Sequence, residues 1–325
     1  MFDFRITGEP HRKETNGGLY DVVIVGGGPA GLTTAIYASR DGMKVLVLDR
    51  ESTGGLAATT ELIENYPGFP EGINGMVLMG KFLEQAERFG TEIIEFEEVT
   101  EVKPVKEGLI EVHTEGGTIY QGKTVVIATG SRPKKLNVPG EDDYYGKGVS
   151  YCATCDGPFF KGKDVIIIGA GNSGLQEGLP LLEYANKVTF VEFLPYSRAE
   201  QILQDRVSEH EKSAMLFNYR VTEIKGDRTV TGVAAVNRET LKETFLPADG
   251  VFIYVGYTPY TQFVSDLVEL NQWGYIESDS HMRTRISGLY AIGDVRADNP
   301  AQMTISVGDG TKAALAIREY LQSLK

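Results

Sequence analysis

The sequence predicts an α/β fold in which one β-α-β unit occurs twice. In the first unit, an apolar, β-branched run at 20–25 leads into a glycine-rich turn, a helical pattern and a second apolar run that ends at Asp49. The same order of strand, glycines, helix and strand returns at 164–192. The spacing is identical, because the glycines and the terminal acid of the second unit lie 143 residues after their counterparts (169 − 26, 192 − 49). This internal repeat indicates two related domains.

The first glycine-rich turn has the spacing of a dinucleotide-binding site. Its G-x-G-x-x-G pattern allows a tight turn, a close approach of the backbone to a pyrophosphate, and close packing of helix against strand. The N-terminus of the following helix stabilises phosphate charge. An acid stands eighteen residues after the last glycine (49 − 31), where an acceptor for a ribose hydroxyl belongs. The candidate cofactor contacts in this unit are Gly26, Gly28, Pro29, Ala30, Gly31 and Asp49.

The only two cysteines of the 325-residue chain stand close together, as Cys152-Ala-Thr-Cys155, and Asp156 follows directly. A Cys-x-x-Cys pair can close a small, accessible disulfide that opens and re-forms. Two buried thiols without a redox role are one alternative. A structural zinc site is another, but it would need two more ligands at regular spacing, whereas the four histidines are scattered. We therefore predict a redox-active disulfide and no metal site.

Composition narrows the classes of function. The net charge of −13 argues against non-specific binding to nucleic acid. No apolar run approaches the ~20 residues of a membrane span, and the N-terminus lacks the apolar core of a secretory signal. Residues 1–17 are expected to form a flexible arm. One dithiol without a wider disulfide framework indicates the reducing cytoplasm.

Two further apolar runs are predicted to pair as strands. The first spans 124–130 and the second spans 288–294, far downstream. The second run ends in Gly293-Asp294, whose carboxylate can accept a hydrogen bond from a sugar-like hydroxyl of a cofactor. Taken alone, an Asp at such a position more often caps a helix.

Three helices outside the first unit can be placed from the pattern. An amphipathic helix is expected at 76–90, and a C-terminal helix at 311–321. The helix of the second unit contains Gly178 and Pro180 in its interior. Because proline removes a backbone hydrogen bond, we expect this helix to be kinked or shortened.

Taken together, these motifs resemble the low-molecular-weight thioredoxin reductases. The resemblance covers residue 18 to about residue 321, nearly the whole chain. The segments that carry it occur in the order typical of that family: the turn at 26–31, Glu64-Asn65-Tyr66-Pro67-Gly68, Ala128-Thr129-Gly130, 152–157, 256–261, and Gly293-Asp294 with Ala301-Gln302.

The resemblance implies two Rossmann-like three-layer domains, the second inserted into the first. Residues 18–133 and 261–325 would form an FAD-binding domain, and residues 134–260 a pyridine-nucleotide-type domain that carries the redox disulfide. It also implies non-covalent FAD, a homodimer, and thioredoxin as the protein substrate. The composition, and not the resemblance, predicts no nucleic-acid and no membrane partner. It extends the candidate FAD contacts to Gly55, Leu56, Asn65, Ala128, Thr129, Gly130, Gly293, Asp294 and Gln302.

The resemblance also assigns roles around the two cysteines. Cys155 would face the flavin, and Cys152 would attack the disulfide of the protein substrate. Asp156 matches the general acid and base of the family, which protonates the leaving thiolate and later deprotonates it.

One part of the family pattern is missing from the second unit. NADPH-using members follow the second strand with a His-Arg-Arg run and a further arginine that bind the 2′-phosphate. This chain has Glu192-Phe-Leu there, and only Arg198 remains. Two like charges at ~4 Å cost about 4 kcal/mol at an effective dielectric near 20, so a carboxylate at this position disfavours the 2′-phosphate. We expect NADPH to be a poor donor. The Phe193-Leu194-Pro195-Tyr196 run and the helix with Gly178 and Pro180 resemble a divergent group that includes the ferredoxin-dependent flavin thioredoxin reductases. This resemblance implies ferredoxin or a similar one-electron protein as the donor.

Other interpretations of the electron donor and of the function remain open. NADH suits an acid at the strand end, which can accept from a free 2′-hydroxyl. NADPH would serve if Glu192 turned away and Arg198 sufficed with other basic residues. A second flavin nucleotide could occupy the 169–174 turn. A flavin-bound redox sensor without turnover, or a reductase for another disulfide protein, is a further alternative. An acidic ferredoxin would need a basic surface, for which the candidates are Arg132, Lys134 and Lys135, or Lys161 and Lys163.

Overall fold

The structure is a computed structural model that describes residues 18–324. The expected flexible arm at 1–17 lies outside the described residues. The described chain divides into two compact units, and each contains one of the two β-α-β repeats. From here on, the first unit is 18–53, 82–129 and 261–324, and the second unit is 54–81 and 130–260. The second unit thus contains the segment 54–81, which the sequence-based boundaries assign to the FAD-binding domain. Those boundaries stay a prediction.

The described residues contain short β-strands. In chain order they are β1 (Tyr20–Val25), β2 (Val45–Leu48), β3 (Glu92–Ile94), β4 (Val99–Lys106), β5 (Leu109–Thr114), β6 (Ile119–Ile127), β7 (Ser131–Pro133), β8 (Val149–Ser150), β9 (Asp164–Ile168), β10 (Lys187–Val191), β11 (Ser213–Leu216), β12 (Tyr219–Gly226), β13 (Val230–Asn237), β14 (Glu243–Pro247), β15 (Gly250–Ile253), β16 (Tyr257–Pro259) and β17 (Leu289–Ala291).

Seven α-helices accompany these strands in the described part of the chain. They are α1 (Pro29–Arg40), α2 (Gly55–Ala58), α3 (Gly75–Arg88), α4 (Ala153–Asp156), α5 (Asn172–Tyr184), α6 (Gln201–Glu209) and α7 (Met303–Ser323). Short 3-10 turns cover Gly157–Phe160, Gln262–Val264 and Gly293–Val295. No helix in residues 18–324 has both the length and the apolar character that a membrane span requires.

The first unit is organised around a sheet in the order β3-β2-β1-β6-β5-β4, with β17 beside the far end of β6. The strands β3, β2, β1, β6 and β17 run parallel, whereas β4 and β5 form an antiparallel extension. The predicted pairing of the 124–130 and 288–294 runs is confirmed, with Leu289 opposite Val125. Five of the six residues of β1 are buried, as expected for a parallel strand covered on both faces.

The C-terminal helix differs from the sequence-based expectation, because α7 begins at Met303 and not at 311. Glycines and β-branched residues give the stretch 303–310 poor helix propensity, which is why the pattern did not reveal it. Packing decides the outcome here. A Cβ at Gly310 would collide with the carbonyl oxygen of Ala30, so the glycine allows α7 to lie directly against α1. The Thr34 hydroxyl secures the contact by donating to the Gly310 carbonyl at 3.1 Å.

The second unit repeats the architecture on a smaller scale. Its parallel sheet has the order β11-β10-β9-β15-β8, and an antiparallel sheet of β12, β13 and β14 lies beside it. Alternate residues of β9 enter different cores. Ile167 packs with Leu175 and Leu182 of α5, whereas Ile166 packs with Val233 of β13. The unit therefore has three layers, and the predicted α/β fold class with two Rossmann-like domains is confirmed.

Helix α5 runs from Asn172 to Tyr184 without a break at Pro180, so the expected shortening is wrong. Gly178 explains how the helix is held in place. A Cβ on this residue would lie 2.5 Å from Cε1 of Phe190 and 2.6 Å from Cδ1 of Ile167. The missing side chain lets α5 approach the sheet, and burial of its apolar face stabilises a helix that contains a proline.

We expect Gly178→Ala to lower the free energy of unfolding by about 1–3 kcal/mol, because the added methyl group overpacks the core against Phe190 and Ile167. Gly80→Ala is the matched control. Gly80 is an exposed residue inside α3 with nothing within 4 Å of its Cβ position, so alanine there should be neutral or stabilising by up to about 1 kcal/mol. Urea unfolding followed by circular dichroism measures both. Equal midpoints for the two variants would contradict the packing argument.

Candidate active site

The two cysteines form a disulfide at the start of a short helix. Cys152 and Cys155 are covalently joined, with their Cα atoms 5.3 Å apart, and Cys152 is the N-cap residue of α4. The backbone N–H of Cys155 donates to Sγ of Cys152 at 3.2 Å. Cys155 is exposed and Cys152 is half-buried. The predicted pairing is confirmed, and the bond lies where another molecule can reach it.

Three hydrogen bonds fix the backbone around this disulfide. The N–H of Cys152 donates to the Ser150 hydroxyl at 3.0 Å, and the N–H of Ala153 donates to the Tyr254 hydroxyl at 2.8 Å. The Tyr151 hydroxyl donates to Oε1 of Glu141 at 2.6 Å. Ser150 is the last residue of β8, and Tyr254 directly follows β15. Their two hydrogen bonds therefore anchor the redox pair to neighbouring strands at the edge of the parallel sheet.

Glu141 links Tyr151, the residue before Cys152, to a neighbouring loop. It is only 2% exposed, yet its carboxylate is satisfied, since it also accepts from the backbone N–H groups of Leu136 and Asn137 at 2.7 and 2.6 Å. Burial, followed by the hydrogen bond to Glu141, raises the pKa of the Tyr151 hydroxyl, so this tyrosine stays protonated and continues to donate.

The first glycine-rich turn has the geometry that its sequence predicts. A Cβ at Gly26, where φ is 110°, would collide with the carbonyl oxygen of Ala128, and one at Gly31 would collide with the carbonyl oxygen of Gly26. Oδ2 of Asp49 accepts from the N–H of Gly27 at 2.7 Å, and its Oδ1 accepts from the N–H of Glu51 at 2.9 Å. Burial raises the pKa of Asp49, and these two backbone hydrogen bonds oppose that rise.

The second glycine-rich turn has the same pair of backbone hydrogen bonds to the acid at the end of its strand. Oε2 of Glu192 accepts from the N–H of Ala170 at 2.7 Å, and its Oε1 accepts from the N–H of Leu194 at 2.9 Å. Glu192 therefore does not turn away into solvent. Its carboxylate is held against the turn in the same manner as Asp49 in the first unit.

Comparison with known proteins places the chain in a family. A family model described as pyridine nucleotide-disulphide oxidoreductase matches residues 20–310. A thioredoxin reductase from Listeria monocytogenes is 42% identical over 308 residues, which cover 94% of this chain and 95% of the relative. The chain belongs to the low-molecular-weight thioredoxin reductase family within the pyridine nucleotide-disulphide oxidoreductases. Members of this family are flavin-dependent oxidoreductases, and this protein is an enzyme of that kind.

Solved structures of the thioredoxin reductase family agree with the fold. A thioredoxin reductase from Lactococcus lactis, described as being in the FR conformation, has a TM-score of 0.91 at 40% identity, with 94% of this chain and 99% of that chain covered. A ferredoxin-flavin thioredoxin reductase from Clostridium acetobutylicum has a TM-score of 0.51 at 31% identity, with the same coverage of each chain. The similar structures thus include one named a thioredoxin reductase and one named a ferredoxin-flavin thioredoxin reductase.

The thioredoxin reductase family implies FAD, and the first unit fits such a cofactor. Gly28 has nothing within 4 Å of its Cβ position, so the turn leaves open space in front of the N-terminus of α1. A bound pyrophosphate would occupy such a space, where backbone N–H groups and the helix N-terminus favour negative charge. Asp49 completes the site with a carboxylate that the backbone holds in place.

Further candidate residues converge on the same end of the sheet. Gly26 lies against Ala128 and Thr129 at the end of β6, and Gly293 lies against Ala30 just after β17. Asp294 accepts from the Ser306 hydroxyl at 3.0 Å, and burial raises the pKa of its carboxyl group. Its side chain therefore does not cap the helix that follows; the N-cap residue of α7 is Gln302.

The remaining candidates for flavin contact belong to the second unit. Gly55 and Leu56 start the short helix α2, Asn65 is exposed, and Gly130 has a φ of 62° just before β7. Their part in a flavin site stays a prediction.

Of the three predicted catalytic residues, Asp156 is half-buried, and its backbone N–H donates to the Cys152 carbonyl at 3.1 Å. Residues 18–324 contain no group of three or more side chains suited to hold a metal ion.

Sequence reasoning missed Glu177, an acid that lies beside the redox motif. Its Oε2 accepts from the Thr154 hydroxyl at 3.3 Å, and Thr154 stands between the two cysteines. Burial raises the pKa of the Glu177 carboxyl to about 7, although hydrogen bonds from the side chain and backbone of Thr154 lower it. Helical spacing contained the signal, because Glu177 stands four residues before Leu181, which is buried in the core of the second unit.

Proposed function

We propose that this protein reduces the disulfide of a thioredoxin, with non-covalent FAD as its cofactor and Cys152 and Cys155 as its redox pair. The observation that carries the proposal is the accessible disulfide at the start of α4, followed directly by Asp156. The names of similar proteins support thioredoxin as the substrate. FAD, when bound, supplies a carrier that takes electrons either in pairs or singly.

The residues of the redox pair then act in order on the substrate. In the reduced pair, the Cys152 thiolate attacks one sulfur of the thioredoxin disulfide, and the second substrate sulfur leaves as a thiolate. Asp156 donates the proton that this leaving thiolate takes up. The Cys155 thiolate attacks Sγ of Cys152 and restores the internal disulfide, which releases the second sulfur of thioredoxin. Ser150 and Tyr254 hold the backbone of the pair through these exchanges.

We propose that FAD binds at the glycine-rich turn of the first unit and at further candidate contact residues. The pyrophosphate would lie at the turn of Gly26, Gly28, Pro29, Ala30 and Gly31, and the ribose at Asp49. The other contacts that we propose are Gly55, Leu56, Asn65, Ala128, Thr129, Gly130, Gly293, Asp294 and Gln302. We further propose an FAD-binding domain of 18–133 and 261–325, with 134–260 as the pyridine-nucleotide-type domain.

Ferredoxin, or a similar one-electron protein, is the proposed electron donor in place of NADPH. Support comes from Glu192, whose carboxylate is fixed at the tip of β10 by the N–H groups of Ala170 and Leu194. A 2′-phosphate at this position would meet a like charge that the backbone holds in place. Among the exposed basic residues that could receive an acidic ferredoxin, Lys135 is already paired with Asp142 at 2.6 Å. Arg132 and Lys134 stay candidates beside Lys161 and Lys163, and all four are exposed.

NADH is the second candidate donor, and one specific observation favours it. The carboxylate of Glu192 accepts from its turn in the same way that Asp49 does in the first unit. An acid in this position accepts from the free 2′-hydroxyl of an adenosine ribose. The second turn therefore suits a nucleotide that has no 2′-phosphate.

The donor prediction is tested by anaerobic bleaching of the flavin absorbance with one donor at a time. We expect reduced ferredoxin to bleach the enzyme rapidly, and NADPH to do so at least about 100-fold more slowly at equal concentration. Rapid, complete bleaching by NADPH at micromolar concentration would refute the prediction. Rapid bleaching by NADH, with no response to ferredoxin, would establish the second candidate instead.

The protein is further proposed to act in the cytoplasm as a homodimer. A single reactive dithiol in a chain with no other cysteine supports a reducing compartment. Light scattering of the purified flavoprotein would measure twice the chain mass of 35.6 kDa if the homodimer forms.

A further inference from the structure

Glu177 is an acid that the proposed thiol exchange does not use, although it contacts the redox motif. It lies on α5, packed against the short helix α4 that carries the two cysteines. It accepts hydrogen bonds from the hydroxyl and the backbone N–H of Thr154, which stands directly before Cys155. Glu177 is therefore linked by hydrogen bonding to the residue that separates Ala153 from Cys155.

The other titratable groups around Glu177 offer it no compensating positive charge. The charged side chain that acts on Glu177 is a second acid, Glu61, from the segment before α3. Asp156 of α4 and Glu177 both act on Tyr254, whose own pKa is raised first by burial and then by Glu177. The groups that face this region are thus Glu61, Asp156, Tyr184, Tyr254 and Tyr257.

We propose that Glu177 is a positioning residue that opposes ionisation of the reduced Cys152–Cys155 pair through its contact with Thr154. The proposal rests on the redox function given above. The step concerned is loss of one proton from a cysteine thiol to solvent, which leaves a thiolate. An ionised Glu177 raises the free energy of that thiolate, because two negative charges then share one partly buried site. Neutral Glu177 has no such effect.

The sign of the pH dependence follows from the environment of Glu177. Its raised pKa of about 7 means that the carboxyl group is neutral below that pH and charged above it. Its opposition to the thiolate is therefore absent in mildly acidic solution and grows as the pH rises through 7. With Glu177 ionised, the thiols of Cys152 and Cys155 stay protonated over the pH range in which free cysteine thiols begin to ionise.

Alkylation of the reduced full-length flavoprotein by iodoacetamide, measured from pH 5.5 to 9.5, tests this role. The midpoint of the rate profile reports the ionisation of the pair. We expect Glu177→Gln to move the midpoint to lower pH by roughly 0.5–1 unit. Glu177→Asp, which keeps the charge, should retain the wild-type midpoint. Glu183→Gln removes the same charge from an exposed position of α5 and should also leave the midpoint unchanged.

The outcomes separate this inference from the function on which it rests. An unchanged midpoint in Glu177→Gln, or an equal shift in Glu183→Gln, overturns the role of Glu177 while the redox pair stands. An equal shift in Glu177→Asp shows that shape and not charge is responsible, which also overturns it. If the reduced protein takes up no iodoacetamide at any pH, the proposed redox function fails as well.

Discussion

Cys152→Ser is expected to reduce thioredoxin turnover by at least about 10³-fold, because a serine hydroxyl stays protonated near neutral pH and is a far weaker nucleophile than a thiolate. The substitution removes only the disulfide, since the backbone N–H of residue 152 can still donate to Ser150 and that of Ala153 to Tyr254. Flavin content and the unfolding midpoint should therefore remain close to wild type. Turnover is measured with oxidised thioredoxin and the donor that bleaches the flavin.

Cys155→Ser provides the matched comparison, because it separates the roles of the two sulfurs. With Cys152 intact, the reduced variant can still attack thioredoxin, but it has no second thiol to release the product. We expect a stable mixed disulfide between Cys152 and thioredoxin, visible as a covalent band that a reductant removes. Accumulation of that band with Cys152→Ser, and not with Cys155→Ser, would reverse the assigned roles. Turnover by Cys152→Ser at a rate near wild type would contradict the proposed function.

The repeated β-α-β unit was predictable because each of its parts has its own sequence signal. Close backbone approach requires the glycines, burial on both faces requires the apolar strands, and a ribose acceptor requires the acid at the strand tip. The same signals mark the positions of Asp49 and Glu192, and the structure adds their hydrogen bonds to the two turns. The disulfide was equally predictable, since Cys152 and Cys155 are the only cysteines of the chain.

What escaped the sequence analysis depends on contacts between distant segments. The start of α7 at Met303 is decided by the close approach of Gly310 to Ala30, which overrides poor helix propensity. Glu177 reaches Thr154 across 23 positions; helical spacing relative to Leu181 indicates on which face of α5 it lies, but not this contact. The effect of Pro180 on the length of α5 was overestimated for the same reason, because packing of the helix on the sheet outweighs one lost hydrogen bond.

Gly28→Ala is expected to weaken FAD binding by about 10- to 100-fold while leaving the folded protein intact. The residue has a φ of −76° and nothing within 4 Å of its Cβ position, so alanine fits the backbone without strain or collision. The added methyl group enters the space in front of α1, where the backbone would approach the pyrophosphate. Flavin content after purification and titration of the apoprotein with FAD measure the loss, and thermal unfolding of the apoprotein checks that the fold is unchanged.

Gly171→Ala is the matched control, and it also bears on the electron donor. Gly171 occupies the equivalent position of the second turn, with a φ of −83° and nothing within 4 Å of its Cβ position. Its substitution should leave FAD affinity at the wild-type value. If NADH is the donor, the same methyl group should raise the NADH concentration needed for half-maximal bleaching by about tenfold or more. If ferredoxin is the donor, its rate of bleaching should not change. Equal loss of FAD from both variants would mean that the two turns do not divide their ligands as proposed, because a methyl group in the second turn cannot obstruct a pyrophosphate bound at the first.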